Sequence, residues 1–109
     1  FQQSIQATFK KAMKMGVKLA YGTDIGGYDW NLTQAKDFTY FVEWGLSPVQ
    51  AIQTATTTAA ELLGMQGKIG EIKEGAFADI IALKKDPTKD ISALQNIDFV
   101  MKDGKVYKH

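Results

Sequence analysis

The sequence predicts an α/β fold: a helix-rich first part built around one short apolar strand, followed by a small all-β part. Three observations predict it. Apolar residues recur at helical spacing in three segments of the first 64 positions. Between the first two lies Val17–Gly22, where Val17, Leu19, Ala20 and Tyr21 leave little polar alternation, as a strand covered on both faces requires. After Gly64 the texture changes to short β-branched runs punctuated by Gly67, Gly70 and Gly75.

Taken in order, residues 2–15 read as a helix with Ile5, Phe9, Ala12 and Met13 on one face and Gly16 as its stop. Lys10, Lys11, Lys14 and Lys18 lie mostly on the other side and read as a solvated outer face. Val17–Gly22 is the strand, and residues 24–30 are a loop. A second helix is expected from about Leu32 to Trp44, with Leu32, Ala35, Phe38, Phe41 and Val42 as its apolar stripe. Asn31 is its expected N-cap, Gln34 completes a capping box, and Gly45 ends it. A third helix spans 48–63. Ser47 caps it, Pro48 takes the first position, where a missing N–H costs nothing, and Gly64 closes it. Thr54, Thr56, Thr57 and Thr58 are poor helix formers in its middle, with hydroxyls able to bond back to carbonyls one turn earlier. Ala78–Leu83 is a strand broken by Asp86-Pro87, and Ile91–Leu94 a single helical turn. Phe99–Met101 and Lys105–Tyr107 flank Asp103-Gly104, a two-residue hairpin signal.

Composition narrows the function classes. The chain has 109 residues, a net charge of +1, 45% hydrophobic and 23% charged residues, as in a soluble globular domain. No strong field favours nucleic acid or anionic lipid, and all thirteen basic residues are Lys, which removes the usual bidentate reader of phosphates and bases. There is no Cys, hence no disulfide framework and no thiolate metal site. No apolar run approaches the roughly 20 residues of a membrane span. The chain opens on Phe1 in helix-like composition and has one His, at position 109. From this we expect a piece of a larger protein. The compartment stays open between cytoplasm and export.

The chemistry concentrates at Lys18-Leu-Ala-Tyr-Gly-Thr-Asp24, an apolar strand ending in one carboxylate and followed by Gly26 and Gly27. The carboxyl end of a parallel strand is where α/β enzymes place catalytic groups. Thr-Asp-x-Gly-Gly is equally ordinary turn chemistry, so the residues alone leave Asp24 open between a turn residue and a catalytic acid. Thr23 precedes it, and strand alternation turns Thr23 to the opposite face. Phe38, Phe41 and Trp44 are spaced as helix core. Asp79 reads as a structural acceptor and His109 as a tail residue.

A series of motifs carries a resemblance: Tyr21-Gly-Thr-Asp24, Trp44-Gly-Leu-Ser-Pro-Val-Gln-Ala-Ile52, Ala55-Thr-Thr-Thr-Ala-Ala-Glu-Leu-Leu-Gly64, Gly67-Lys-Ile-Gly70, Ile72–Ile81 and Val100–Val106. Together, over about residues 10–108, they resemble the C-terminal quarter of the metal-dependent amidohydrolase superfamily. Within it the likeness is to the branch of imidazolonepropionase-like enzymes and prolidase-type (Xaa-Pro) dipeptidases.

The resemblance implies that residues 1–64 are the C-terminal end of a TIM-type (β/α)8 barrel, with Val17–Asp24 as its eighth strand. Residues 65–109 would be the C-terminal part of a composite β-sandwich. It implies that Asp24 ligates a divalent metal, zinc by expectation, and takes a proton from the metal-bound water during cleavage of a C–N bond in a dipeptide or similar amide. It implies, further, that the loop after the strand lines the pocket mouth, making Tyr28, Trp30 and Asn31 candidate substrate contacts. The family's other ligands, a His-x-His pair, a bridging Lys or Glu and two further His, have no counterparts in this sequence. The chain alone is therefore expected to bind no metal at site-like affinity and to hydrolyse nothing. Its expected partners are the remainder of the same enzyme, a small peptide or amide substrate, and in isolation a second copy of itself. Imidazolone ring opening, deamination and a non-catalytic assembly module are the alternative expectations.

Overall fold

In the computed structural model, which describes residues 2–109, the first part is helical. The helices are α1 (Gln2–Lys14), α2 (Asp37–Glu43), α3 (Pro48–Thr54) and α4 (Thr57–Leu62). The second part is a three-stranded antiparallel sheet in the order β1 (Ile80–Ala82), β2 (Phe99–Lys102), β3 (Lys105–Lys108). Short 3-10 turns at Gln34–Lys36 and Ile91–Gln95 complete the regular structure. No helix among the described residues is long and apolar enough to cross a membrane.

α1, α2 and α4 end in the same way. Gly16, Gly45 and Gly64 take φ of +73°, +122° and +66°. Their N–H groups and those of the next residues bond back to Met13 and Ala12, Val42 and Phe41, and Glu61 and Ala60, at 2.8–3.0 Å. This paired pattern satisfies the carbonyls a helix end leaves free. The start of α3 is a complete capping box: Gln50 N–H donates to Ser47 Oγ, and Ser47 N–H to Gln50 Oε1.

Three expectations need correction. Val17–Gly22 is extended but pairs with no strand among the described residues, because a strand exists only through a ladder and none of them supplies one. The second helix begins later than Asn31. Asp29 Oδ1 accepts the Asn31 N–H at 2.9 Å, so Asn31 sits inside an Asx turn, and the helix opens at Gln34 as a 3-10 turn behind Thr33. The third helix is two. Ala55 and Thr56 donate three residues back, to Ile52 and Gln53, and Thr56 takes φ −126°, ψ −98°. The Thr54 and Thr56 hydroxyls bond back to Ala51 and Ile52 carbonyls, offering the backbone an alternative to a straight helix. Gly70 fills the gap at the break, where a Cβ would stand 2.4 Å from the Thr56 carbonyl oxygen.

In the sheet, Ile80, Ile81 and Ala82 pair with Met101, Val100 and Phe99. Asp103 and Gly104 both take positive φ, +48° and +77°, as the two-residue hairpin predicts. Asp79 clamps this turn by accepting from Lys102 Nζ and Asp103 N–H, each at 2.8 Å. The Lys102 bond first, then that N–H, hold its carboxyl below the usual carboxylate range.

The core lies between α2, α3 and the second 3-10 turn. Phe38, Ala51, Ile91 and Leu94 are buried there, with Tyr21, Phe41, Val42, Leu46, Ile52 and Leu83 packed against them. Phe9 stacks on Phe41 with centroids 5.3 Å apart and meets Trp44 edge-on, which ties α1 to α2. No large side chain among the described residues is fully buried.

Candidate active site

The extended segment between α1 and the Asp29 turn alternates with period two. Leu19, Tyr21, Thr23 and Ile25 are half-buried against the helices, while Lys18, Ala20, Gly22 and Asp24 are exposed on the other side. The inward face is therefore large and apolar. Beyond Lys18 the outward face carries Ala20 and Gly22 and ends in the Asp24 carboxylate. Lys18 forms an ion pair with Glu61 at the near end of the segment.

Asp24 takes φ +47°. A positive φ at a residue other than Gly is uncommon, and Asp tolerates it better than most because its short side chain adapts to a turn. Such a conformation costs on the order of 1 kcal/mol and persists where neighbouring structure holds it. Here it turns the chain out of the extended segment into the Gly26-Gly27 loop at the residue that carries the acid.

The three candidate substrate contacts follow in that loop. Tyr28 is 70% and Trp30 80% exposed. Asn31 is exposed and held through its backbone by Asp29. Tyr28 borders an open hollow of about 740 Å³ that also touches Thr23, Lys36, Asp37 and Tyr40. The loop thus stands at the Asp24 end of the segment, with two aromatic rings presented to solvent.

Asp24 is a single donor. Among the described residues no three His, Cys, Asp or Glu side chains come together as a set able to hold a metal, and His109 is an exposed terminal residue. A catalytic zinc centre takes three protein ligands. The residues of this chain do not make such a centre by themselves.

Sequence reasoning gave Tyr21 no role beyond filling the strand. Its N–H donates to the Thr54 carbonyl at 2.8 Å and its hydroxyl to the Gln34 carbonyl at 2.8 Å, with Asp37 Oδ2 at 3.5 Å. Its ring lies 4.7 Å from that of Phe38 and 5.8 Å from that of Phe41. Burial first, then the Asp37 charge and hydrogen bond, push its phenol up to about 12. The available signal was a Tyr in an apolar run, since a part-buried phenol needs a hydrogen-bond partner.

Comparison with known proteins adds to this geometry. The sequence pattern of the Amidohydrolase family matches residues 3–107. A crystal structure of a Xaa-Pro dipeptidase with methionine bound in its active site superposes with a TM-score of 0.89 at 47% identity, covering 96% of this chain and 26% of that one. Ochratoxinase of Aspergillus niger is 36% identical over 107 residues, 92% of this chain and 21% of that enzyme. Imidazolonepropionase of Rubrobacter xylanophilus is 46% identical over 39 residues, 36% of this chain and 9% of that enzyme. The chain thus spans about a quarter or less of the length of these relatives. With the match running almost end to end, and with an aspartate closing the extended segment, this chain belongs to the amidohydrolase family.

Proposed function

We propose that this chain is the C-terminal part of an enzyme that hydrolyses C–N bonds in small peptides or amides, with Xaa-Pro dipeptides as the substrate class. The observation that carries the reading is the likeness to the Xaa-Pro dipeptidase, which extends over nearly the whole chain and includes the segment ending in Asp24. In this reading residues 1–64 end a (β/α)8 barrel and residues 65–109 belong to a β-sandwich, while the rest of the enzyme covers their exposed faces.

Asp24 is the acid of the proposed site. Its carboxylate accepts a proton from the water that attacks the scissile carbonyl and returns it to the leaving nitrogen. Tyr28 and Trp30 border the substrate, and Asn31 offers it an amide. A divalent metal, zinc first, belongs to the same reading. Asp24 would give it one oxygen, and its remaining donors would come from residues outside these 109.

The test uses the complete protein. Wild type is expected to release proline from Xaa-Pro dipeptides and to lose that activity on chelation. Asp24→Asn is expected to lower kcat by about 10²-fold or more, the usual scale for a lost general acid–base. Full activity in Asp24→Asn would remove Asp24 from the site. Turnover of an imidazolone with no dipeptide cleavage would favour ring opening, the second reading, which rests on the imidazolonepropionase match. No hydrolysis of either substrate would favour an assembly module.

A further inference from the structure

The loop that follows Asp24 divides into a loose arm and a braced tip. From Ile25 to Tyr28 no backbone group takes part in a backbone hydrogen bond among the described residues. This arm lies past the end of the proposed barrel strand, so a strand ladder in the complete enzyme stops short of it. Gly26 and Gly27 sit in its middle. Neither takes a positive φ. A Cβ at Gly26 would meet only the Asp24 carbonyl oxygen, at 4.0 Å, and one at Gly27 would meet nothing within 4 Å. Neither sterics nor backbone conformation requires glycine here, so what the pair supplies is freedom to move.

The tip is held. Asp29 accepts the Asn31 N–H on its side chain at 2.9 Å and the Leu32 N–H on its carbonyl at 3.1 Å. The Gln34 side chain donates to the Leu32 carbonyl at 3.0 Å. On the helix side, Thr33 is extended and makes no side-chain cap bond, which leaves a second place for the tip to turn. The tip carries Trp30, 80% exposed, with Tyr28 at its junction with the arm.

We propose that residues 25–32 are a flap that closes over substrate at Asp24, hinged at Gly26-Gly27, with Trp30 as the ring that covers the site. The proposal rests on the reading of Asp24 as the site's acid. About 10 Å of extended chain separates Gly27 from Trp30, enough to carry the indole across a dipeptide. In the open form the ring stands in water, and closing on substrate buries about 200 Å² of it. That contact exists only in the closed form, so it is what draws the flap shut. Closure expels bulk water from around the scissile bond.

The test uses the complete protein and an Ala-Pro analogue whose scissile carbonyl is reduced to a methylene, its binding established by competitive inhibition of Ala-Pro hydrolysis. Trp30 is followed by acrylamide quenching of fluorescence, as the difference between wild type and Trp30→Phe. We expect Trp30 to be quenched about fivefold less with the analogue than without it, as a ring moving from water into a water-excluded site. Gly26→Ala combined with Gly27→Ala adds two methyls to open space and should not lower Tm. It should lower kcat about fivefold and shift KM with it, as hinge substitutions do. A ring already shielded without the analogue, or quenched equally in both states, overturns the proposal. So does wild-type kcat in the double alanine variant, which would make Trp30 a fixed contact. Failure of the wild type to cleave Ala-Pro, or full activity in Asp24→Asn, instead overturns the reading beneath it, and the proposal with it.

Discussion

Tyr21 carries its own pH signature. Its phenol is raised from 10.0 to about 12, by burial first and then by Asp37. A group whose folded pKa is raised contributes stability that is fully present below its unfolded value and lost as pH climbs to the folded one. The unfolded phenol ionises first and draws the equilibrium toward unfolding between pH 10 and 12. We expect the denaturation midpoint of the wild type to fall more steeply across that window than that of Tyr21→Phe. Equal slopes would show that burial of this hydroxyl is not what the structure indicates. Asp79 behaves in the opposite sense. Lys102 and the Asp103 N–H depress its carboxyl, so its contribution is present above the unfolded value and disappears as pH falls through the lower folded one. The place of Asp24 at the end of an apolar run was legible in the sequence. The positive φ of Asp24 was not, nor were Tyr21's contacts, whose partners lie thirteen or more residues away. Asn31 misled because Asp29, two positions earlier, takes the N–H that Gln34 would bond in a capping box.

At the scale of elements, the clearest local chemistry was also the most readable. Ser47-Pro48 and Asp103-Gly104 specify a helix start and a hairpin through their own bonds, and both form. Ser47→Ala removes one half of the capping box and is expected to cost about 1 kcal/mol, read as a shift in the denaturant midpoint. The break between α3 and α4 was hidden, although the four threonines hinted at it, because it is completed by Gly70, far along the chain. Gly70→Ala must place a methyl 2.4 Å from the Thr56 oxygen while keeping φ at +80°. Gly104→Ala keeps a similar φ, +77°, but meets nothing within 4 Å. The left-handed penalty alone is about 1–2 kcal/mol, and overpacking adds about 1–3 kcal/mol. Gly70→Ala should therefore cost clearly more than Gly104→Ala in the same equilibrium unfolding experiment. Equal costs would mean that the contact at the break relaxes freely.

For the whole molecule, the surface area decides what kind of object this chain is. A folded monomer of 12.0 kDa exposes about 6,000 Å²; this chain exposes 8008 Å². The excess is about 2,000 Å², more than twice the roughly 800 Å² that one partner buries in a standard specific protein–protein interface. The radius of gyration agrees, at 14.7 Å against about 13 Å for a compact domain of this length. The extra surface is apolar where the site segment meets the helices. Met15, Val17, Leu62 and Leu63 are 70%, 50%, 75% and 64% exposed, and Ala20 and Leu62 share an open hollow with Lys18, Thr58 and Glu61. The sequence reads Val17 as part of a strand covered on both faces, yet among the described residues it is half exposed. Exposed apolar residues gathered along one segment mark a binding face or an association hazard. Excised as residues 1–109, the chain is therefore expected to bind a hydrophobic dye, to associate as its concentration rises in sedimentation runs, and to release no proline from Xaa-Pro dipeptides. The complete protein, with that face covered, should bind little dye and cleave the same substrates. Replacing Leu62 and Leu63 by Glu separates the two situations: it should suppress association of the excised chain and destabilise the complete protein. A dye-silent, monomeric excised chain with a sharp unfolding transition would show that the exposed face needs no partner.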